Sequence, residues 1–115
     1  MDSRAQYRKG CARTLVLELL SRRSMYGYEI ATTLAQDSEQ VFSLGQGTLY
    51  PLLYSLERKG LIRAGKEEKD PDSGRRRLYY QLTPNGKRSL KKDLDTWSDT
   101  VRGMTLVLRS AHAQP

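Results

Sequence analysis

Six apolar residues toward the C-terminal end, Leu90, Leu94, Trp97, Val101, Met104 and Leu108, follow one another at intervals of 4, 3, 4, 3 and 4. Two apolar positions per heptad is the spacing of a helix that pairs along a seam. Thr83-Pro84-Asn85-Gly86 opens the segment. Thr83 supplies an N-cap oxygen, and Pro84 falls at the first helical position, where its missing N–H costs no hydrogen bond. The spacing predicts a helix over 84–109, about 25 residues long and so a rod of roughly 38 Å. The rest of a 115-residue chain makes only a small core, which such a rod outreaches. Its C-terminal half lacks an internal partner, and all six residues are assigned to a dimer interface. The tail, 110–115, is expected to fray. Trp97 on a symmetric seam is first a dimer-core aromatic. With Met104 as an adaptable neighbour it also marks a possible effector pocket between paired helices.

Three shorter helices are predicted upstream. In the segment from Arg8 to Arg23, Ala12, Leu15, Val16, Leu19 and Leu20 recur on one helical face. From Ser24 to Gln36, Ser24 can cap and Ile30, Ala31 and Leu34 repeat with helical spacing. Gly27 is a weak place in that helix and is expected to admit close approach of the first helix. Phe42, the only phenylalanine, is expected to plug the core in the looser stretch that follows.

The third helix lies in GQGTLYPLLYSLERKGLI, with Gly60 just past its end. Leu49, Leu52, Leu53 and Leu56 form the inward stripe, which leaves Gly47, Pro51, Tyr54 and Arg58 opposite and Thr48 and Tyr50 on the flanks. Pro51 is expected within the first turn or so, where no intrahelical bond is broken. A bare helix end at Gly47 can approach DNA closely, and the hydroxyls of Tyr50 and Tyr54 can donate to phosphate. Arg58 and Lys59 add charge at the far end.

Leu61 to Asp70 and Arg75 to Thr83 have strand character, with Leu78, Tyr80 and Leu82 alternating inward. Pro71-Asp72-Ser73-Gly74 between them makes the turn of a hairpin. Arg75, Arg76 and Arg77, with Lys66 and Lys69, are assigned to DNA phosphate or minor groove. Glu67, Glu68, Asp70 and Asp72 at the same hairpin would repel DNA if they pointed the same way. Tyr26 and Tyr28 are expected to pack between helices. Arg4, Arg8 and Lys9 either reach DNA or stay solvated.

The order helix, helix, helix, hairpin, long helix reads as a winged helix-turn-helix, mainly α with a small β-hairpin wing, plus a long C-terminal dimerisation helix. The second helix of the helix-turn-helix pair would then enter the major groove N-terminus first. Residues 8–83 make the DNA-binding domain and 84–109 the dimerisation helix. Composition agrees: 20 Lys and Arg against 13 Asp and Glu leave a charge of +7, a surplus that favours a polyanion. Cys11 is the only cysteine, which excludes an intrachain disulfide and favours a reducing, cytoplasmic setting; it reads as a small buried hydrophobe rather than a redox sensor. No apolar run approaches a membrane span and no signal peptide is read.

GTLYPLLYSLERKGLI, RRRLYYQLT and PNGKRSL, together with YGYEI, resemble the PadR family of bacterial winged-helix transcriptional regulators over about residues 11 to 95. The ending resembles the family's small subclass with a single dimerising helix. Leu44-Gly45-Gln46 departs from the lead-in of many relatives. The resemblance implies a homodimeric repressor bound to double-stranded DNA at a pseudo-palindromic operator. It also implies release by small aromatic or drug-like effectors or by other cues.

Other function classes fit the residues less well. An enzyme needs an acid/base pair or an activated nucleophile. No Cys-His or Ser-His arrangement, phosphate loop or HExxH pattern is present, and no cofactor or metal site is expected; His112 is the only histidine. RNA or membrane-surface binding lacks a stacking sheet or a basic amphipathic terminus. A winged-helix adaptor without sequence-specific DNA binding is the alternative. Salt-dependent DNA binding separates it from a regulator.

Overall fold

The computed structural model describes the chain from residue 3 to 112, with side chains over 10–109 except Lys66. Four helices and three strands alternate in the order α1 (Ser3–Arg22), β1 (Met25–Tyr26), α2 (Gly27–Asp37), α3 (Gln46–Arg58), β2 (Ile62–Lys69), β3 (Arg76–Leu82) and α4 (Pro84–His112). The winged helix-turn-helix with a long C-terminal helix is the architecture expected. Arg4, Arg8 and Lys9 lie in α1, which starts earlier than the Arg8 expected; their side chains, like that of Lys66, fall outside the described residues. So does the end of the tail; its first residues, up to His112, continue α4.

One core holds the fold. Val16, Leu17, Leu19 and Leu20 of α1 meet Ile30 and Leu34 of α2, Leu49, Leu53 and Leu56 of α3, and Ile62 and Tyr80 of the sheet. Leu17 falls outside the single face expected for α1 yet is fully buried. The reason is that α1 sits centrally, touching α2, β3 and α4 at once, so it buries more than one stripe. Phe42 is half-buried against the core.

The sheet has three strands, not two, antiparallel in the order β1-β3-β2. Met25 pairs with Tyr80 and Tyr26 with Tyr79. Met25 buries its side chain in the core. Ser24 therefore does not cap α2; Tyr26 stands at the N-cap position and makes no side-chain cap bond.

Three local devices lock α3, the sheet and α4 together. α3 ends with the Gly60 N–H on the Glu57 carbonyl (2.9 Å) and the Leu61 N–H on the Leu56 carbonyl (3.0 Å). Gly60 at φ +75° adopts the left-handed conformation that this helix stop requires. The Thr83 N–H then donates to the Leu61 carbonyl (3.1 Å). Lastly, the Thr83 hydroxyl donates to the Gly60 carbonyl (2.7 Å) and accepts the Gly86 N–H (3.0 Å), which caps α4 as expected. Thr83→Ala loses both bonds. The expected cost is about 1–2 kcal/mol, a melting point lower by roughly 5–15 °C. Thr83→Ser should retain most of it in a circular-dichroism melt; an equal loss in both variants would show that the hydroxyl is not what matters.

The first turns of α4 belong to the core. Leu90 is only 7% exposed, packed inside its own subunit, so its assignment to a dimer interface is corrected. Beside it, Arg13 of α1 donates to Ser89 Oγ (2.6 Å) and Asp93 Oδ2 (3.3 Å), and the Thr14 hydroxyl donates to the same Asp93 oxygen (3.1 Å). Beyond Asp93 the described residues of α4, through Arg109, are all exposed, and the molecule measures 60 × 27 × 27 Å.

Candidate nucleic-acid interface

The helical period of α3 separates an anchored face from a free one. Leu49, Leu53 and Leu56 are buried, while Gly47, Thr48, Pro51, Tyr54, Arg58 and Lys59 are exposed. No acidic residue lies in the first turn of α3, so nothing there opposes an approaching phosphate. Glu57 is committed to structure: its carboxylate accepts the Ala64 N–H (3.2 Å) and ties α3 to the root of the wing.

Tyr50 and Tyr54 divide roles that the sequence reading gave to both. Tyr54 is 58% exposed. Tyr50 is half-buried and packs on the core, with its hydroxyl against Gly27; a Cβ added there would lie 2.6 Å from that oxygen. Gly27 therefore admits a ring from α3, not the first helix as expected. The ring centroids of Tyr50 and Tyr54 are 6.3 Å apart, so the anchored tyrosine supports the free one. Truncating Tyr50 would disturb the α2–α3 contact as well as any DNA contact. Tyr28 is 64% exposed and does not pack between helices, whereas Tyr26 is half-buried and meets Tyr79 edge-on at 5.5 Å.

Pro51 also differs from expectation. With Gly45 at the N-cap, Pro51 is the sixth residue of α3, past the first turn. The four donors that a helix start leaves without a partner four residues back are those of Gly45 to Thr48, of which the Thr48 N–H turns to the Gly45 carbonyl (3.1 Å). Proline at 51 thus removes a bond that the interior would otherwise make to the Gly47 carbonyl.

The wing sorts its charges by face. Tyr80 points into the core, so alternation along β3 sends Arg76 and Leu78 to the same face and Arg77 and Tyr79 to the other. Arg76 stands directly opposite Lys69. Two cations facing each other across a ladder repel, and the pair lies on the helix-bearing side of the sheet. Arg77 lies on the outer face, with its guanidinium 4.9 Å from the Tyr26 ring centroid and its Nε 4.0 Å from Asp70. Its Nε is buried without a hydrogen-bond partner. The Tyr79 hydroxyl on that face is pushed above its ordinary range, first by lost hydration and then by the carboxylates of Glu29 and Asp70. Held between Tyr26 and Asp70, Arg77 stands apart from Arg75 and Arg76, both exposed near the tip.

The wing tip is built by Asp70. Its carboxylate accepts the Ser73 hydroxyl (2.8 Å) and the Asp72 N–H (3.1 Å). Those two bonds, in that order, hold its pKa below the ordinary range, with Arg77 assisting. One of the acids that counted against DNA binding is thus part of the turn.

Between α1 and α4 lies an apolar groove of about 520 Å³, lined by Gly10, Cys11, Leu15, Phe42, Leu94 and Trp97 among others. Cys11 is half-buried at its wall rather than fully inside the core. Trp97 lines the groove and Met104 does not. Leu94, Trp97, Val101, Met104 and Leu108 are all exposed, Trp97 at 61%. No helix among the described residues is long and apolar enough to cross a membrane.

The chain resembles known proteins along nearly its whole length. The sequence pattern of the transcriptional regulator PadR-like family matches residues 16–92. A PadR-like transcriptional regulator from Bacillus cereus, 26% identical, superposes with a TM-score of 0.79 over 90% of this chain and 97% of its own. A PadR family transcription regulator from Clostridium difficile is 33% identical, with a TM-score of 0.72 over 84% of this chain and 96% of its own. A transcriptional regulator of Mycobacterium tuberculosis is 28% identical over 97 residues, 84% of this chain and 85% of that protein. The match takes in α3, the whole wing and the start of α4, and on it the chain belongs to the PadR-like family of transcriptional regulators.

Proposed function

We propose that the protein is a homodimeric repressor of the cytoplasm that binds a pseudo-palindromic operator in double-stranded DNA and is released by a signal. Residues 8–83 form its DNA-binding unit and 84–109 its dimerisation helix. The observation that carries the reading is the exposed apolar row on α4, Leu94, Trp97, Val101, Met104 and Leu108. An apolar row this long on a water-soluble helix needs a partner, and a second copy offers the same row. Dimerisation sets two α3 helices in register with successive major grooves. Gly47, Thr48, Pro51 and Tyr54 face the bases and sugar backbone, with Arg58 and Lys59 at the far end of α3. Arg75, Arg76 and Lys69 take adjacent phosphates, and Arg77 holds the wing. The groove at Trp97 supports a small aromatic or drug-like effector, with Met104 contributing along the seam in the dimer. An effector shifts repression only if its affinity differs between the bound and free states.

Fluorescence anisotropy on duplex DNA from just upstream of the protein's own gene tests the reading, run across a salt series against a scrambled duplex. Tight, sequence-dependent binding whose affinity falls steeply with salt is expected. Tyr54→Ala should weaken it about tenfold, the worth of one hydrogen bond to a charged phosphate, and leave the melting point unchanged. Equal, weak binding to both duplexes would favour an adaptor. Undiminished affinity in the variant would remove Tyr54 from the interface.

A further inference from the structure

Pro51 leaves the Gly47 carbonyl without its helical partner. In an α-helix that carbonyl would accept the N–H of the residue four positions on, and proline has none. No main-chain N–H from outside α3 reaches it among the described residues. Gly47 and Pro51 are both exposed, on the face turned away from the leucine stripe. Gly47 has no side chain, and a Cβ built there would touch nothing. An interior proline crowds the carbonyl four residues back and favours its tilting away from the helix axis. The result is an acceptor that lacks its ordinary helical donor, on the exposed face at the N-terminal end of α3.

We infer that the Gly47 main-chain carbonyl reads one base pair, accepting from an exocyclic amino group in the major groove. This rests on the proposed insertion of α3. Adenine N6 and cytosine N4 present a donor there, while guanine O6 and thymine O4 present an acceptor. A carbonyl accepts only. It therefore distinguishes adenine and cytosine from guanine and thymine on one strand, at one position of each half-site. Pro51 is the positioning residue, and the carbonyl of Gly47 is the contact. One hydrogen bond of this kind supports about three- to tenfold discrimination.

The test is selection of duplexes from a random pool by the wild-type protein, by Pro51→Ala and by Pro51→Ser. Both variants restore an N–H at 51 that bonds the Gly47 carbonyl. Both should melt higher than wild type, since an interior proline is the least favourable helix residue. The residue-51 amide should be protected from hydrogen exchange. The wild-type motif should contain a position restricted to adenine or cytosine, and both variants should accept all four bases there within about twofold, the largest change at any position of the motif. Retention of that restriction in the variants would overturn the inference alone, as would a wild-type motif without such a position. An unprotected amide at 51, or equal loss at every position, would do the same. Failure of the wild type to enrich any motif would instead overturn the DNA-reading proposal and this inference with it.

Discussion

Gly86→Ala is expected to destabilise the fold by about 3 kcal/mol or more, lowering the melting point by roughly 15 °C. Helix propensity alone predicts the opposite sign, since alanine is better than glycine inside a helix by about 1 kcal/mol. The difference lies in what surrounds the position. A Cβ on Gly86 would overlap the Leu61 carbonyl oxygen and come within 2.6 Å of a Leu82 methyl. The leucine tip can move, but the carbonyl cannot do so cheaply. It accepts the Thr83 N–H, and the Leu61 N–H closes the end of α3. Relief requires moving the end of α3 or the start of α4, so the damage should reach the angle between α3 and α4. Thermal melts of the wild type and Gly86→Ala decide between the two signs. An unchanged or higher melting point would mean that the junction yields easily. DNA affinity of whatever fraction remains folded should fall as well.

How much of this was legible in the sequence depended on whether a feature is local. The Thr83 cap, the Gly60 stop and the Leu49–Leu56 stripe are short-range patterns, and all three stand in the structure as read. β1 was not legible, because two residues have no period; Met25 and Tyr26 become a strand only because Tyr79 and Tyr80 lie beside them. Tyr50, on the flank of α3, and Tyr54, opposite the leucines, both read as phosphate donors. What separates them is a slot over Gly27, contributed by another helix. Leu90 continues the α4 period into the core, and spacing carries no mark of where a helix leaves its own domain. Pro51 was misplaced by two residues or so because the helix start is set by Gly45, which carries no capping side chain. The division among the arginines was available in advance. Once Tyr80 is placed inward, parity along the strand puts Arg76 on the core side and Arg77 on the other.

Val101→Asp separates dimerisation from folding and should have the largest effect on function. Val101 is 41% exposed and lies outside the buried core, so the isolated subunit should tolerate the change. At a two-fold seam the substitution sets two carboxylates near one another in an apolar contact, where an unpaired buried charge is strongly disfavoured. The wild type should scatter light as a dimer and the variant as a monomer at the same concentration, with its far-ultraviolet circular dichroism preserved. Operator affinity should fall by about 10²–10⁴-fold, because two linked half-site contacts become one. Leu106→Asp provides the comparison. Leu106 is 56% exposed, but at about 100° per residue it points away from the row formed by Trp97, Val101, Met104 and Leu108. It should leave both the dimer and the affinity intact. A Val101→Asp protein that remains dimeric would refute the seam. Equal disruption by both variants would show that α4 is covered on more than one side, and that the assembly exceeds a simple pair of helices.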